Sequence, residues 1–163
     1  MPLMTHNPPD RREFLRAGLA AAGLGLPGLA KGAPRRPNFV IIFLDDAGWS
    51  DFRPFGKPDY PTPNVARLAS GGCSFTNFYV PQAVCSASRS ALLSGCYPGR
   101  TRVFGAHGPR ARGLEPAFAT MGQTLKAAGY RTAVFGKWHI SDQPDTRPPA
   151  RGFDESCGLM YSN

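Results

Sequence analysis

Asn38-Phe39-Val40-Ile41-Ile42-Phe43-Leu44, followed at once by Asp45-Asp46, is the stretch on which the fold turns. None of the first seven residues is charged, three are β-branched and two are aromatic. A continuous apolar run of that kind, without alternation, predicts a strand covered on both faces, as in a mostly parallel sheet flanked by helices. Open α/β sheets gather ligands beyond the carboxyl ends of their strands, so Asp45 and Asp46 are candidate ligands for a hard cation. The plainer alternative is a strand-to-loop turn in which one of them caps backbone N–H groups.

Outward from this strand, helices and strands alternate. Thr62-Pro63 predicts a helix start with a hydroxyl cap and a proline in the first turn, with Val65, Leu68 and Ala69 on one face and Gly71-Gly72 as the stop. Residues 73–80 read as a second strand and residues 86–94 as a helix, closed by Gly95 in a left-handed turn. Residues 98–116 are loop-like, and His107 within them is expected to be solvated. Thr120 and Gln123 form a capping box for the next helix, with Leu125 and Ala128 facing inward and Gly129 closing it. Residues 130–135 then read as a third strand that delivers Gly136-Lys137-Trp138-His139 to the same carboxyl edge. The alternation defines an α/β fold with a mostly parallel sheet.

Chemistry concentrates where the second strand hands over to its helix. Cys85 falls at the helix N-terminus, where unpaired N–H groups favour an anion, and Arg89 one turn on can present its fork of donors to a tetrahedral oxyanion. On residue type alone, a cysteine ahead of an amphipathic turn is more often a small buried hydrophobe than a nucleophile. Lys137 and His139, at alternate positions beyond a strand, can share one side of a pocket. Cys73, Cys96 and Cys157 show no zinc spacing; they read as buried thiols, with a disulfide among them as the alternative that an oxidising compartment allows.

The first 33 residues are a separate object. Arg11-Arg12-Glu13-Phe14-Leu15 precedes an Ala/Gly/Leu-rich run over residues 17–29, similar to a twin-arginine export signal, and Gly28-Leu29-Ala30 offers a small-x-small cleavage site. The run is too short to span a bilayer, so the chain is not expected to be an integral membrane protein. Nineteen basic and 11 acidic side chains give a net charge of +8. The arginines, densest at Arg100, Arg102, Arg110 and Arg112, are not interleaved with aromatics, which speaks against nucleic acid and for an anionic substrate.

Cys85-Ser86-Ala87-Ser88-Arg89 resembles the modification signature of the type I sulfatases, Cys-x-Pro/Ala-x-Arg, with Ala87 where proline is commoner. Residues 36–49, the Gly129 to His139 segment, Arg151-Gly152-Phe153-Asp154-Glu155 and residues 158–163 resemble further segments of arylsulfatases of the A type, with Met160 in a proline position. The resemblance runs from about Arg36 to Asn163. It implies the N-terminal part (residues 34–163) of an alkaline-phosphatase-like catalytic domain, cut short at its C-terminal end.

The same resemblance implies that Cys85 is oxidised to Cα-formylglycine by a formylglycine-generating enzyme. Asp45, Asp46 and the modified residue 85 would hold Ca²⁺ or Mg²⁺. Arg89 and Lys137 would neutralise sulfuryl charge, His139 would act as a base, and Lys137 and Ser162 would touch the substrate. The implied reaction is attack on sulfur by one hydroxyl of the hydrated aldehyde, followed by release of sulfate through the other. The substrate would be a small or oligosaccharide sulfate ester, and the route of export the twin-arginine translocase to the periplasm or exterior. A related phosphonate or phosphodiester hydrolase, or a catalytically incomplete fragment, are the alternatives.

Overall fold

The computed structural model of the chain describes residues 36–161; the export-signal reading and Ser162 lie outside them. The chain divides between Phe43 and Leu44 into two units.

In the first unit, the run expected as the founding strand forms no ladder: Phe39 is 60% and Val40 83% exposed. A strand covered on both faces owes its form to neighbours that pair its backbone and pack its side chains. No strand pairs with it among the described residues.

The second unit holds a two-stranded parallel sheet, β1 (Ala133–Phe135) and β2 (Glu155–Cys157), in the register Ala133↔Glu155, Val134↔Ser156, Phe135↔Cys157. β1 is the expected third strand, shortened; its partner arises from the segment around Asp154-Glu155, which carried no strand expectation. The pairing runs on as single hydrogen bonds: Gly136 N to Cys157 O (2.8 Å), Leu159 N to Gly136 O (3.2 Å), Trp138 N to Leu159 O (2.8 Å) and His139 N to Met160 O (3.0 Å). Residues 137–139 are therefore held by residues 157–160. The strand expected over residues 73–80 is absent too: no strand pairs with it among the described residues, and Phe75 and Phe78 stay exposed.

The helices follow the sequence more closely. α1 (Pro63–Gly71) forms, but Thr62 does not cap it, because its Oγ1 accepts Arg53 N–H at 3.1 Å. α2 (Cys85–Ser94) ends as expected, with Gly95 at φ 67° donating to Ala91 O. α3 (Pro98–Thr101) is a single turn inside the region expected as loop. α4 (Met121–Ala127) starts with the capping box: Gln123 N donates to Thr120 Oγ1 at 3.2 Å and Thr120 N to Gln123 Oε1 at 2.9 Å. Leu125 is only half-buried and Ala128 exposed; the buried residue of α4 is Gly122, where a Cβ would press on the Phe153 ring at 2.9 Å.

Leu114, Trp138, Ile140 and Phe153 form the core, with Leu93, Phe118, Val134 and Met160 packed against it. Trp138 meets Phe153 edge to face at 5.8 Å and donates Nε1–H to Thr146 O at 3.1 Å, so both its apolar body and its polar handle are satisfied. Arg151, 2% exposed, spends its guanidinium on the carbonyls of Phe118 and Glu115, and its own carbonyl accepts Thr120 Oγ1–H at 2.6 Å. Cys73, Cys85, Cys96 and Cys157 are all free, and Cys73 and Cys157 are exposed, which corrects the expectation of buried thiols. Among the described residues no helix is long and apolar enough to cross a membrane.

Candidate active site

Four of the residues singled out in the sequence meet in one place. Cys85 opens α2, half-buried, and Lys137 Nζ lies 3.4 Å from its Sγ. The same ammonium donates to Asp45 Oδ2 at 2.7 Å. Arg89, one turn along α2, sets Nη2 3.6 Å from that oxygen and donates Nη1–H to Lys137 O at 2.6 Å. Gly136, at φ +102°, turns the chain off the end of β1. Arg89 then clamps the next carbonyl, so the helix fixes the lysine through its backbone as well as its charge.

The two cations share a single carboxylate oxygen, and the cluster keeps a net positive charge. The hydrogen bond from Lys137 is the main cause that holds Asp45 below its ordinary value, against some loss of hydration. The same bond raises Lys137, again against desolvation. Both groups are thus charged at neutral pH, in an arrangement whose two cations suit a tetrahedral oxyanion. The N–H of Ala87 in the first turn of α2 is already donated to Gly105 O at 3.2 Å, so binding of an anion there falls to the side chains more than the sequence suggested.

His139 is buried at 4% exposure with φ +48°; its Nε2 lies 2.9 Å from His107 O and its ring stands edge-on to Tyr161 at 5.6 Å. His107 is not the solvated loop residue expected: it is half-buried, and its N–H donates to Ser86 Oγ at 2.8 Å. Neither Ser86 nor the His107 backbone carried a signal in the sequence, since a serine beside a cysteine is unremarkable and a carbonyl belongs to every residue.

Asp45 and Asp46 are oxygen donors of the kind Ca²⁺ or Mg²⁺ takes, but two carboxylates fall short of the roughly six to eight oxygens such ions collect. Among the described residues no group of three or more His, Cys, Asp or Glu side chains comes together to hold a metal ion. Among the described residues the donors present do not complete a metal site, and Asp45 meets the lysine and arginine.

A thiol, an ammonium, a guanidinium and a carboxylate are thus gathered past the end of β1 in an α/β fold. Residues 37–163 match the family described as Sulfatase. The chain is 43% identical over 153 residues to human arylsulfatase A and 38% identical over 149 residues to pig N-acetylgalactosamine-6-sulfatase, covering 91% and 86% of this chain and 28% of each relative. A Bacteroides thetaiotaomicron sulfatase structure, determined in work on the metabolism of multiple glycosaminoglycans, superimposes with a TM-score of 0.66 at 35% identity, over 72% of this chain and 27% of that one. The chain belongs to the sulfatase family, with the alkaline-phosphatase-like α/β fold of its structural neighbours. It spans a little over a quarter of the length of these relatives.

Proposed function

We propose that the chain carries the nucleophile-bearing part of a sulfuric ester hydrolase, with Cys85 converted to formylglycine. One observation supports this most: within a Cys-x-Ala-x-Arg segment, the Cys85 Sγ stands 3.4 Å from a lysine that also binds Asp45, with Arg89 on the same carboxylate. The sulfur stands in for the oxygen that a formylglycine would carry. That group, once hydrated, would supply one hydroxyl for attack on sulfur and a second whose deprotonation would let sulfate leave.

Lys137 and Arg89 then neutralise oxyanion charge, which matters most where charge grows along the reaction path. Lys137 and Ser162 contact the substrate, and His139 is the base. Asp45 and Asp46 are part of a cation's ligand set that needs further donors. The substrate is a sulfate ester of a small molecule or oligosaccharide. A formylglycine-generating enzyme acts on the chain before folding, and the twin-arginine translocase carries it to the periplasm or exterior.

Mass spectrometry of the tryptic peptide ending at Arg89 tests the modification, with the aldehyde mass expected and an intact thiol in the native host refuting it. Matched nitrophenyl sulfate and phosphate esters test the reaction. Faster phosphate cleavage would overturn the sulfatase reading in favour of a phosphoester hydrolase, and absence of turnover on either would leave an incomplete catalytic fragment.

A further inference from the structure

We propose that Ser86 is a positioning residue for His139, acting through the main chain of His107. Ser86 is fully buried at 0% exposure and follows Cys85 directly on α2. Its Oγ accepts the His107 N–H at 2.8 Å, and the carbonyl of that same residue lies 2.9 Å from His139 Nε2. A carbonyl can only accept, so Nε2 carries the hydrogen and the neutral ring keeps its lone pair on Nδ1.

The loop that makes this link is fixed at a second point. Gly105 N donates to Gln82 Oε1 at 2.9 Å, and Gly105 O accepts Ala87 N–H at 3.2 Å. Residues on both sides of Cys85 therefore hold residues 105–107, and residues 105–107 hold the imidazole. From its other flank the ring is confined by Tyr161, while the His139 backbone N–H is tied to Met160 O at 3.0 Å. The helix that presents position 85 and the ring proposed as its base are thus set as one unit. The tautomer follows from the backbone of a loop.

The functional weight of this device rests on the reading of His139 as the base, but the tautomer is measurable without it. Long-range ¹H–¹⁵N spectra of the imidazoles in the ¹⁵N-labelled full chain, at a pH where the ring is neutral, report which nitrogen carries the proton. The wild type is expected to show His139 as Nε2–H with slow exchange. Ser86→Ala is expected to admit the Nδ1–H form and to speed exchange about fivefold, the change worth one net hydrogen bond; Ser86→Thr, which keeps the acceptor oxygen, is expected to behave as wild type. A wild-type Nδ1–H tautomer, or a Ser86→Ala spectrum identical to wild type, would overturn the proposal. The wild-type spectrum decides even where the alanine variant does not fold. Lack of sulfate-ester turnover in a chain showing Nε2–H would count against the proposed reaction while supporting the positioning.

Discussion

Replacing Gly158, at φ +155°, by alanine adds a close approach to the backbone strain of a positive φ at the parallel junction. The backbone there passes so close to Gly136 that a Cβ would overlap its carbonyl oxygen and sit 2.6 Å from its carbonyl carbon and 2.8 Å from its nitrogen. All three are backbone atoms, so no side chain can swing aside. The pairing must open, and with it the bonds from Gly136 N to Cys157 O and from Leu159 N to Gly136 O. Two hydrogen bonds at about 1 kcal/mol each and an overpacking cost of roughly 1–3 kcal/mol give a loss of about 3–5 kcal/mol. Gly136→Ala is the control: at φ +102° it is strained, yet nothing lies within 4 Å of its Cβ, so it should cost only roughly 1–2 kcal/mol. Urea unfolding followed by the fluorescence of Trp138, two residues beyond Gly136, reads both. If the two variants cost the same, or Gly136→Ala costs more, close approach of the two segments is not what holds residues 137–139 in place.

Three further outcomes follow from the geometry. Lys137→Met removes the main cause of the lowered Asp45 pKa, so its carboxyl, followed by NMR, should titrate nearer the ordinary 3.8. Because a depressed carboxylate adds stability above its unfolded value and loses it as pH falls through the folded one, that variant should also lose less stability in acid. Thr120→Val removes both the acceptor for Gln123 N–H and the donor to Arg151 O at a residue 1% exposed; urea unfolding should show a loss of about 1–2 kcal/mol. Asp154, held to about 2 first by its hydrogen bond from Lys126 and then by Thr132, should titrate higher in Lys126→Met. Its stabilising effect is present above its ordinary 3.8 and is lost as pH falls toward about 2.

What could be read ahead of the structure was what neighbours in sequence decide. The helix carrying Cys85 and Arg89, the left-handed Gly95, the reciprocal cap of Thr120 and Gln123, and the strand ahead of Lys137 all depend on spacings of a few residues. Residues 38–44 and 73–80 have the composition of buried strands, but composition names a preference and only pairing fulfils it. That Asp45, Cys85, Arg89 and Lys137 belong to one site was implied by the sulfatase resemblance of their segments; on residue type alone Asp45, Cys85 and Lys137 each had a plainer reading. The clamp of Arg89 on the Lys137 carbonyl and the Ser86–His107–His139 connection were not legible, because each ends on a main-chain atom that no side-chain pattern announces.

The ammonium that meets Cys85 is encoded 52 residues after it. At roughly 5–20 residues per second of synthesis, that separation lasts about 3–10 s. For that interval every nascent chain carries its sulfur without the lysine that will meet it, so the spacing itself is a clock, and slowing or hastening translation between the two codons would lengthen or shorten the time in which the thiol lacks that neighbour.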